Sequence, residues 1–110
     1  MNSDRVYCRN LFGPKRRQPF TEWFRALRVI RTQARVENRL RRLNLGLLGD
    51  HRAVGSGVYE LRFDFGPGYR IYFARSGNTI TLLCGGSKNT QKRDIERAQG
   101  YLRNYKERTE

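Results

Sequence analysis

Val58-Tyr59-Glu60-Leu61-Arg62-Phe63-Asp64-Phe65, then Gly66-Pro67-Gly68, then Tyr69-Arg70-Ile71-Tyr72-Phe73 is the stretch that decides the fold. In its first half Tyr59, Leu61, Phe63 and Phe65 are apolar, while the intervening positions include Glu60, Arg62 and Asp64. A period of two predicts a strand with one face turned to a core. Gly66-Pro67-Gly68 is a turn that reverses the chain. Tyr69 to Arg75 then reads as a second strand. If Ile71 and Phe73 face the core, Arg70 and Tyr72 face away from it. Ser76-Gly77-Asn78 supplies a tight turn, and Thr79 to Cys84 is continuously apolar, as befits a central strand ending at Gly85-Gly86.

Working outward, Ser87 to Thr90 offers cap residues for a last helix, whose Ile95, Ala98, Leu102 and Tyr105 form a core-facing stripe. Lys92, Arg93, Arg97 and Arg103 surround that stripe, and Gly100 costs the helix about 1 kcal/mol relative to Ala. On the N-terminal side, Val6 to Arg9 suits a short strand and Gly13-Pro14-Lys15-Arg16-Arg17 a basic turn. Pro19 sits where a helix begins, and Phe20, Trp23, Phe24 and Leu27 recur at helical spacing. A second helix is predicted over about residues 30–45, closed by Gly46 and Gly49. Its Val36, Leu40 and Leu43 share one side. Arg31, Arg35, Arg39 and Arg42 lie nearly opposite, as a solvated face or as a surface for nucleic acid or a protein partner. The expectation is an α+β fold: N-terminal helices packed on one face of an antiparallel sheet, with a C-terminal helix. The opposite sheet face would then carry Arg62, Arg70 and Tyr72, a positive and aromatic surface suited to RNA.

With 110 residues the chain is long enough for one domain over 1–110. Its formal net charge is +13, and most of the basic residues are Arg, which suits forked pairing with phosphates. A charge this large on a small domain invites a polyanionic partner, nucleic acid before an anionic membrane surface or an acidic protein. No apolar run of about 18 residues is present, and the N-terminus lacks the apolar segment of a signal peptide, so a cytoplasmic protein without a membrane partner is expected. Cys8 and Cys84 have no metal-ligand spacing and read as reduced cysteines.

The candidate chemistry is narrowed by what is missing. His51 is the one histidine, read as a solvated loop residue, so a two-histidine ribonuclease mechanism is unavailable. No convincing carboxylate pair occurs, and Gly85-Gly86-Ser87-Lys88 lacks the order of a phosphate loop. No metal or other cofactor is expected. What remains is a constellation of arginine, lysine and tyrosine. Attack of an RNA 2′-hydroxyl on its own phosphate requires that proton to be removed, the phosphorane stabilised and the leaving oxygen protonated. Guanidinium and ammonium groups serve the second task well and the first poorly at neutral pH.

Gly57-Val58-Tyr59-Glu60-Leu61-Arg62, Phe65-Gly66-Pro67-Gly68-Tyr69-Arg70-Ile71-Tyr72-Phe73 and the run Leu83 to Ile95 resemble the HigB-like addiction-module killer branch of the RelE/ParE superfamily. Pro19-Phe20-Thr21-Glu22-Trp23 fits the same branch, and the resemblance covers about residues 19–105. It implies a RelE-like fold and the toxin of a type II toxin–antitoxin pair. Such a toxin is a ribosome-dependent mRNA endonuclease that arrests growth by inhibiting translation. Its partners would be the ribosome with its mRNA, and a neutralising antitoxin, a helix-turn-helix protein encoded nearby. By the same resemblance, Arg70 is the arginine that stabilises the reacting phosphate, and Lys88 is the basic residue after the central strand. A pair of basic residues on the preceding strand falls on Glu60 and Arg62, of which only Arg62 keeps the charge. The C-terminal catalytic tyrosine falls near Asp94. Arg62, Arg70 and Lys88 are therefore the catalytic candidates, with Glu60 and Asp94 open as acid or base. Tyr69, Tyr72, Lys92 and Arg93 are candidates for RNA binding, the tyrosines either by base stacking or instead as core residues. Two other readings share these features: a ParE-like, non-enzymatic poison of DNA gyrase, and a plain basic RNA-binding protein.

Overall fold

A computed structural model describes residues 7–10 and 18–109. In chain order they form β1 (Tyr7–Asn10), α1 (Pro19–Ala26), α2 (Ile30–Asn44), β2 (His51–Gly55), β3 (Val58–Arg62), β4 (Tyr69–Ser76), β5 (Thr79–Ser87), a single 3₁₀ turn (Lys88–Thr90) and α3 (Gln91–Thr109). The five strands lie in the order β1-β5-β4-β3-β2. β2 to β5 form an antiparallel meander, and β1 joins its edge parallel to β5. The basic turn over 13–17 lies outside the described residues. The fold is α+β.

The helix ends follow the sequence signals. Pro19 opens α1, where its missing N–H leaves no bond unmade. At the end of α2, Gly46 takes φ +79°. The Leu47 N–H then reaches the Arg42 carbonyl at 2.9 Å and the Gly46 N–H reaches that of Leu43 at 2.9 Å, the paired bonds of a Schellman stop. α3 runs unbroken through Gly100.

Helices cover both faces of the sheet, which corrects the expectation of a single covered face. On one side α1 and α2 pack Phe20, Val36 and Leu43 against Leu61, Phe63, Ile71, Phe73, Ile80 and Leu82. On the other, α3 packs Ala98 and Leu102 against Val58, Tyr72, Ala74, Leu83 and Cys84. The strand residues assigned to an open face therefore include a second core. The strand pattern understated this because Glu60, Arg62 and Arg70 interrupt the second face with charge, whereas β5, apolar on both sides, carried the signal of double burial. A bulge in β5 completes it. Tyr72 pairs with Cys84 but Phe73 pairs with Leu82, so Leu83 is the extra residue and shares the α3 side with Cys84.

β2 is a further difference: His51 is the first residue of a strand rather than a loop residue. The β2–β3 hairpin turns on Ser56 and Gly57 at φ +54° and +82°, the conformation that matches strand twist in a two-residue loop.

Gly85 and Gly86 do not end β5 but let both helices approach it. A Cβ on Gly85 would lie 2.2 Å from the Trp23 ring of α1, and one on Gly86 1.9 Å from Asp94 Oδ2 of α3. Gly85→Ala and Gly86→Ala are each expected to lower unfolding stability by about 3 kcal/mol through overpacking. At Gly100 an added Cβ meets nothing within 4 Å, so Gly100→Ala should stabilise by about 1 kcal/mol. Urea midpoints of the three variants test this division.

Candidate functional site

The register of the sheet aligns the candidate residues in two rows on the α3 side. Arg62 faces Arg70, which faces Gly86; one step along, Arg52 faces Glu60, which faces Tyr72, which faces Cys84. The first row lies next to the end of the sheet, where the 65–68 turn meets the start of the 3₁₀ turn through the Lys88 N–H and the Pro67 carbonyl at 3.4 Å.

Arg70 and Lys88 converge there. The point where a Gly68 side chain would begin is 3.2 Å from Lys88 Cβ and 3.5 Å from Arg70 Nη1. Gly68 holds φ +75°, so both the turn and the space beside it favour glycine. Arg70 Nη1 donates to the carbonyls of Phe63 at 3.2 Å and Tyr69 at 3.1 Å. Its side chain is only 11% exposed and its Nε lies 4.0 Å from Glu60 Oε1. That Nε is buried without a hydrogen-bond partner, a cost of about 1–3 kcal/mol. Lys88 is exposed.

Glu60 is the anchor of this cluster and is fully buried. Its Oε1 accepts from Arg52 Nε at 2.9 Å; its Oε2 accepts from Tyr72 Oη at 3.0 Å and Gln91 Nε2 at 2.8 Å. Burial alone would raise its pKa, but the bonds from Gln91, Arg52 and Tyr72 outweigh it and hold the carboxyl below the usual range. Asp94 is also buried, against the Gly86 backbone, where it takes a short hydrogen bond from Thr90 Oγ1 and one of 3.3 Å from Arg97 Nη1. Both carboxylates proposed as acid or base are thus enclosed and engaged. Neither presents a free oxygen to a ligand at the surface.

Arg62 stands beside Arg70 in register, yet its guanidinium turns to Asp50, with Nη2 3.1 Å from Oδ1 and Nε 3.2 and 3.3 Å from the two oxygens. Tyr72 is a core residue, not a stacking platform. It is 0% exposed under α3, and burial together with Glu60 pushes its hydroxyl pKa well upward. Tyr69 is half-buried, edge-on to Trp23 and Phe65 at 6.2 and 5.6 Å between ring centres. Lys92 and Arg93 are exposed on the first turn of α3, bordering an open hollow with Asn89, Thr90 and Glu96. Cys84 is a buried free thiol whose pKa burial pushes up to about 12, which leaves it protonated and unreactive.

Of the helical arginine row, Arg35 lies 3.9 Å over the Phe65 ring, and Arg39 donates to the carbonyls of Arg62, Leu48 and Asp50 at 2.9, 3.1 and 3.0 Å. These two are structural; Arg31 and Arg42 are exposed. Sequence reasoning missed Arg52, Gln91 and Asp50 as partners of the candidate residues. The available signal was Gly55-Ser56-Gly57 before a strand, a hairpin cue that would have placed Arg52 opposite Glu60. Among the described residues no cluster of His, Cys, Asp and Glu could hold a metal ion, and no helix is long and apolar enough to cross a membrane.

An uncharacterized protein of Haemophilus influenzae is 42% identical to this chain over 81 residues, which are 73% of the chain and 82% of the relative. The chain belongs to the same family as that protein. No family model matches the chain, and no solved structure matches it.

Glu60 gives this site a pH signature. Because its folded pKa lies below the ordinary 4.5, its stabilisation is present above that value and is lost as pH falls through the lower folded value. Glu60→Gln should cost about 3 kcal/mol near neutral pH by leaving buried donors mismatched. It should also remove this component from the acid limb of stability, as thermal melts between pH 7 and pH 2 would reveal.

Proposed function

We propose that this chain has a RelE-like fold and is the toxin of a type II toxin–antitoxin pair. In this reading it is a cytoplasmic, metal-independent mRNA endonuclease that acts on the ribosome and is neutralised by a cognate antitoxin. The observation that carries the reading is the Arg70 guanidinium lying beside Gly68 next to the root of the Lys88 side chain, on a chain of net charge +13. A guanidinium with a lysine rooted beside it suits a phosphodiester, whose non-bridging oxygens gain charge as a 2′-hydroxyl attacks. The resemblance of the 57–73 and 83–95 segments to the RelE/ParE superfamily supports the same assignment.

In the reaction, the 2′-oxygen bonds to phosphorus, the bond to the 5′-oxygen breaks, and a cyclic phosphate remains. One proton leaves the 2′-hydroxyl and another reaches the departing oxygen. Arg70 and Lys88 hold the phosphorane. Drawing the Arg70 guanidinium outward exchanges the Nη1 bonds to the Phe63 and Tyr69 carbonyls for bonds to phosphate and gives up none at Nε, which has none. Neither Glu60 nor Asp94 reaches the RNA from its buried place. Proton transfer therefore falls to groups outside this cluster, which fits an enzyme that depends on the ribosome to hold the RNA in line. Lys92, Arg93 and the open part of Tyr69 extend the path of the strand away from the reacting phosphate.

Arg70→Ala is expected to abolish growth arrest and to reduce ribosome-dependent cleavage at least 100-fold, the scale of losing one oxyanion donor, while the fold persists. Primer extension on mRNA from expressing cells should show codon-phased cuts for the unaltered protein and none for the variant. Full toxicity of Arg70→Ala, or DNA double-strand breaks in place of mRNA cuts, would overturn the assignment.

A further inference from the structure

Arg62 and Arg70 are directly opposed on neighbouring strands. The Arg62 N–H points the other way, to the Asp50 carbonyl at 2.9 Å, which makes the arginines a non-hydrogen-bonded pair, the closer of the two kinds. Two guanidinium groups so placed repel each other unless an anion lies between them or one is drawn aside. Here one is drawn aside. His51 pairs with Leu61, so Asp50 stands on the β2 side of Arg62 while Arg70 stands on the β4 side. The Asp50 carboxylate accepts from both Nε and Nη2 of Arg62, a forked geometry that a phosphate would also satisfy.

Asp50 does not occupy this place by chance contact. Arg39 reaches from α2 to donate to the carbonyls of Arg62, Leu48 and Asp50, which fastens the segment before β2 to the end of β3. Gly49, at φ +67°, makes room for that reach, since a Cβ there would lie 2.9 Å from Arg39 Nη2. The backbone of Asp50 is fixed by this frame, while its carboxylate and the Arg62 side chain remain 58% and 38% exposed. An ion pair so exposed opens at a cost of only about two- to fivefold in equilibrium constant.

We propose that Asp50 is a built-in substitute for an RNA phosphate. It holds Arg62 turned away from Arg70 in the free protein and must yield its place on Arg62 to a second phosphate of the bound strand. Arg62 is then a binding residue engaged only when RNA is present, and Asp50 sets the affinity at which that happens. The inference rests on the reading of Arg70 as a phosphate-binding residue and adds a competitor to it.

Fluorescence anisotropy with a labelled 2′-O-methyl RNA oligonucleotide, which cannot be cleaved, tests the proposal on the full chain. Asp50→Asn should tighten binding about three- to fivefold, and Arg62→Ala should weaken it. In the Arg62→Ala background Asp50→Asn should gain no more than a bulk-charge control does, because nothing is left to release. Asp64→Asn removes one exposed carboxylate from the same cleft and controls for bulk charge; it should gain less than twofold. A gain from Asp50→Asn that persists at its full three- to fivefold without Arg62, or that only equals that of Asp64→Asn when Arg62 is present, reduces the effect to bulk charge and sinks the proposal, as does no gain at all. Asp50→Ser, which keeps the backbone bonds, should repeat the Asp50→Asn result if the asparagine variant folds poorly. Arg70→Ala separates the two levels. Weakened binding there without coupling between Asp50 and Arg62 refutes only the competitor, whereas unchanged binding refutes the underlying site.

Discussion

The buried carboxylate of Glu60 is the interaction on which the rest of the site depends. A lone charge in a core is costly, and Glu60 is tolerated because donors from three other elements close on it. Arg52 comes from β2, Tyr72 from β4 and Gln91 from α3. Satisfying one carboxylate therefore ties the edge strand, the central strand and the C-terminal helix to β3. Arg70 Nε is brought within 4.0 Å of the same group, close enough for attraction and too far for a hydrogen bond. The result is an arginine held at Nη1 by the Phe63 and Tyr69 carbonyls and at Nε by charge alone, close to the root of the Lys88 side chain.

The double glycine in β5 serves the same end from a different direction. Trp23 and Asp94 press on its two sides, which brings α1 and α3 close to the strand immediately before Lys88. The 3₁₀ turn then begins with Ser87 and Thr90 bonded to each other, so Lys88 leaves the sheet on a braced turn rather than a loose loop. Packing on both sheet faces thus fixes the backbone from which Lys88 projects.

Much of this was legible in the sequence. The strands over 58–73, the turn at Gly77-Asn78, the helix over 30–44 and the stripe of α3 all follow from periodicity and turn chemistry. What was not legible has a common cause. Tyr72 and Glu60 are polar residues that a single-covered sheet would leave in water, and Asp94 lies on the helix that covers them; whether α3 docks there depends on contacts between segments far apart in sequence. β2 escaped notice because His51-Arg52-Ala53-Val54-Gly55 is mostly exposed and carries almost no alternation. With β2 unseen, the partners of Glu60 and Arg62 were unseen too. Arg39 shows the same limit on a helix: it falls in a row of arginines that reads as solvated, yet it reaches three carbonyls beyond its own element.

The placement of the acidic groups gives the site its character. Glu60 and Asp94 are consumed inside the protein, and Asp50 is held to Arg62 at the surface. Each acts as a counterion to a nearby arginine rather than as a base facing a ligand. A surface so arranged leaves arginines in excess at the end of the sheet, with Glu60 and Asp94 shielded from an incoming anion by burial. On the proposed reading its strength lies in holding a phosphate and stabilising charge that grows on it, and its weakness in moving protons. On that reading, the arginines that attract RNA therefore require it to arrive already bent into a reactive geometry.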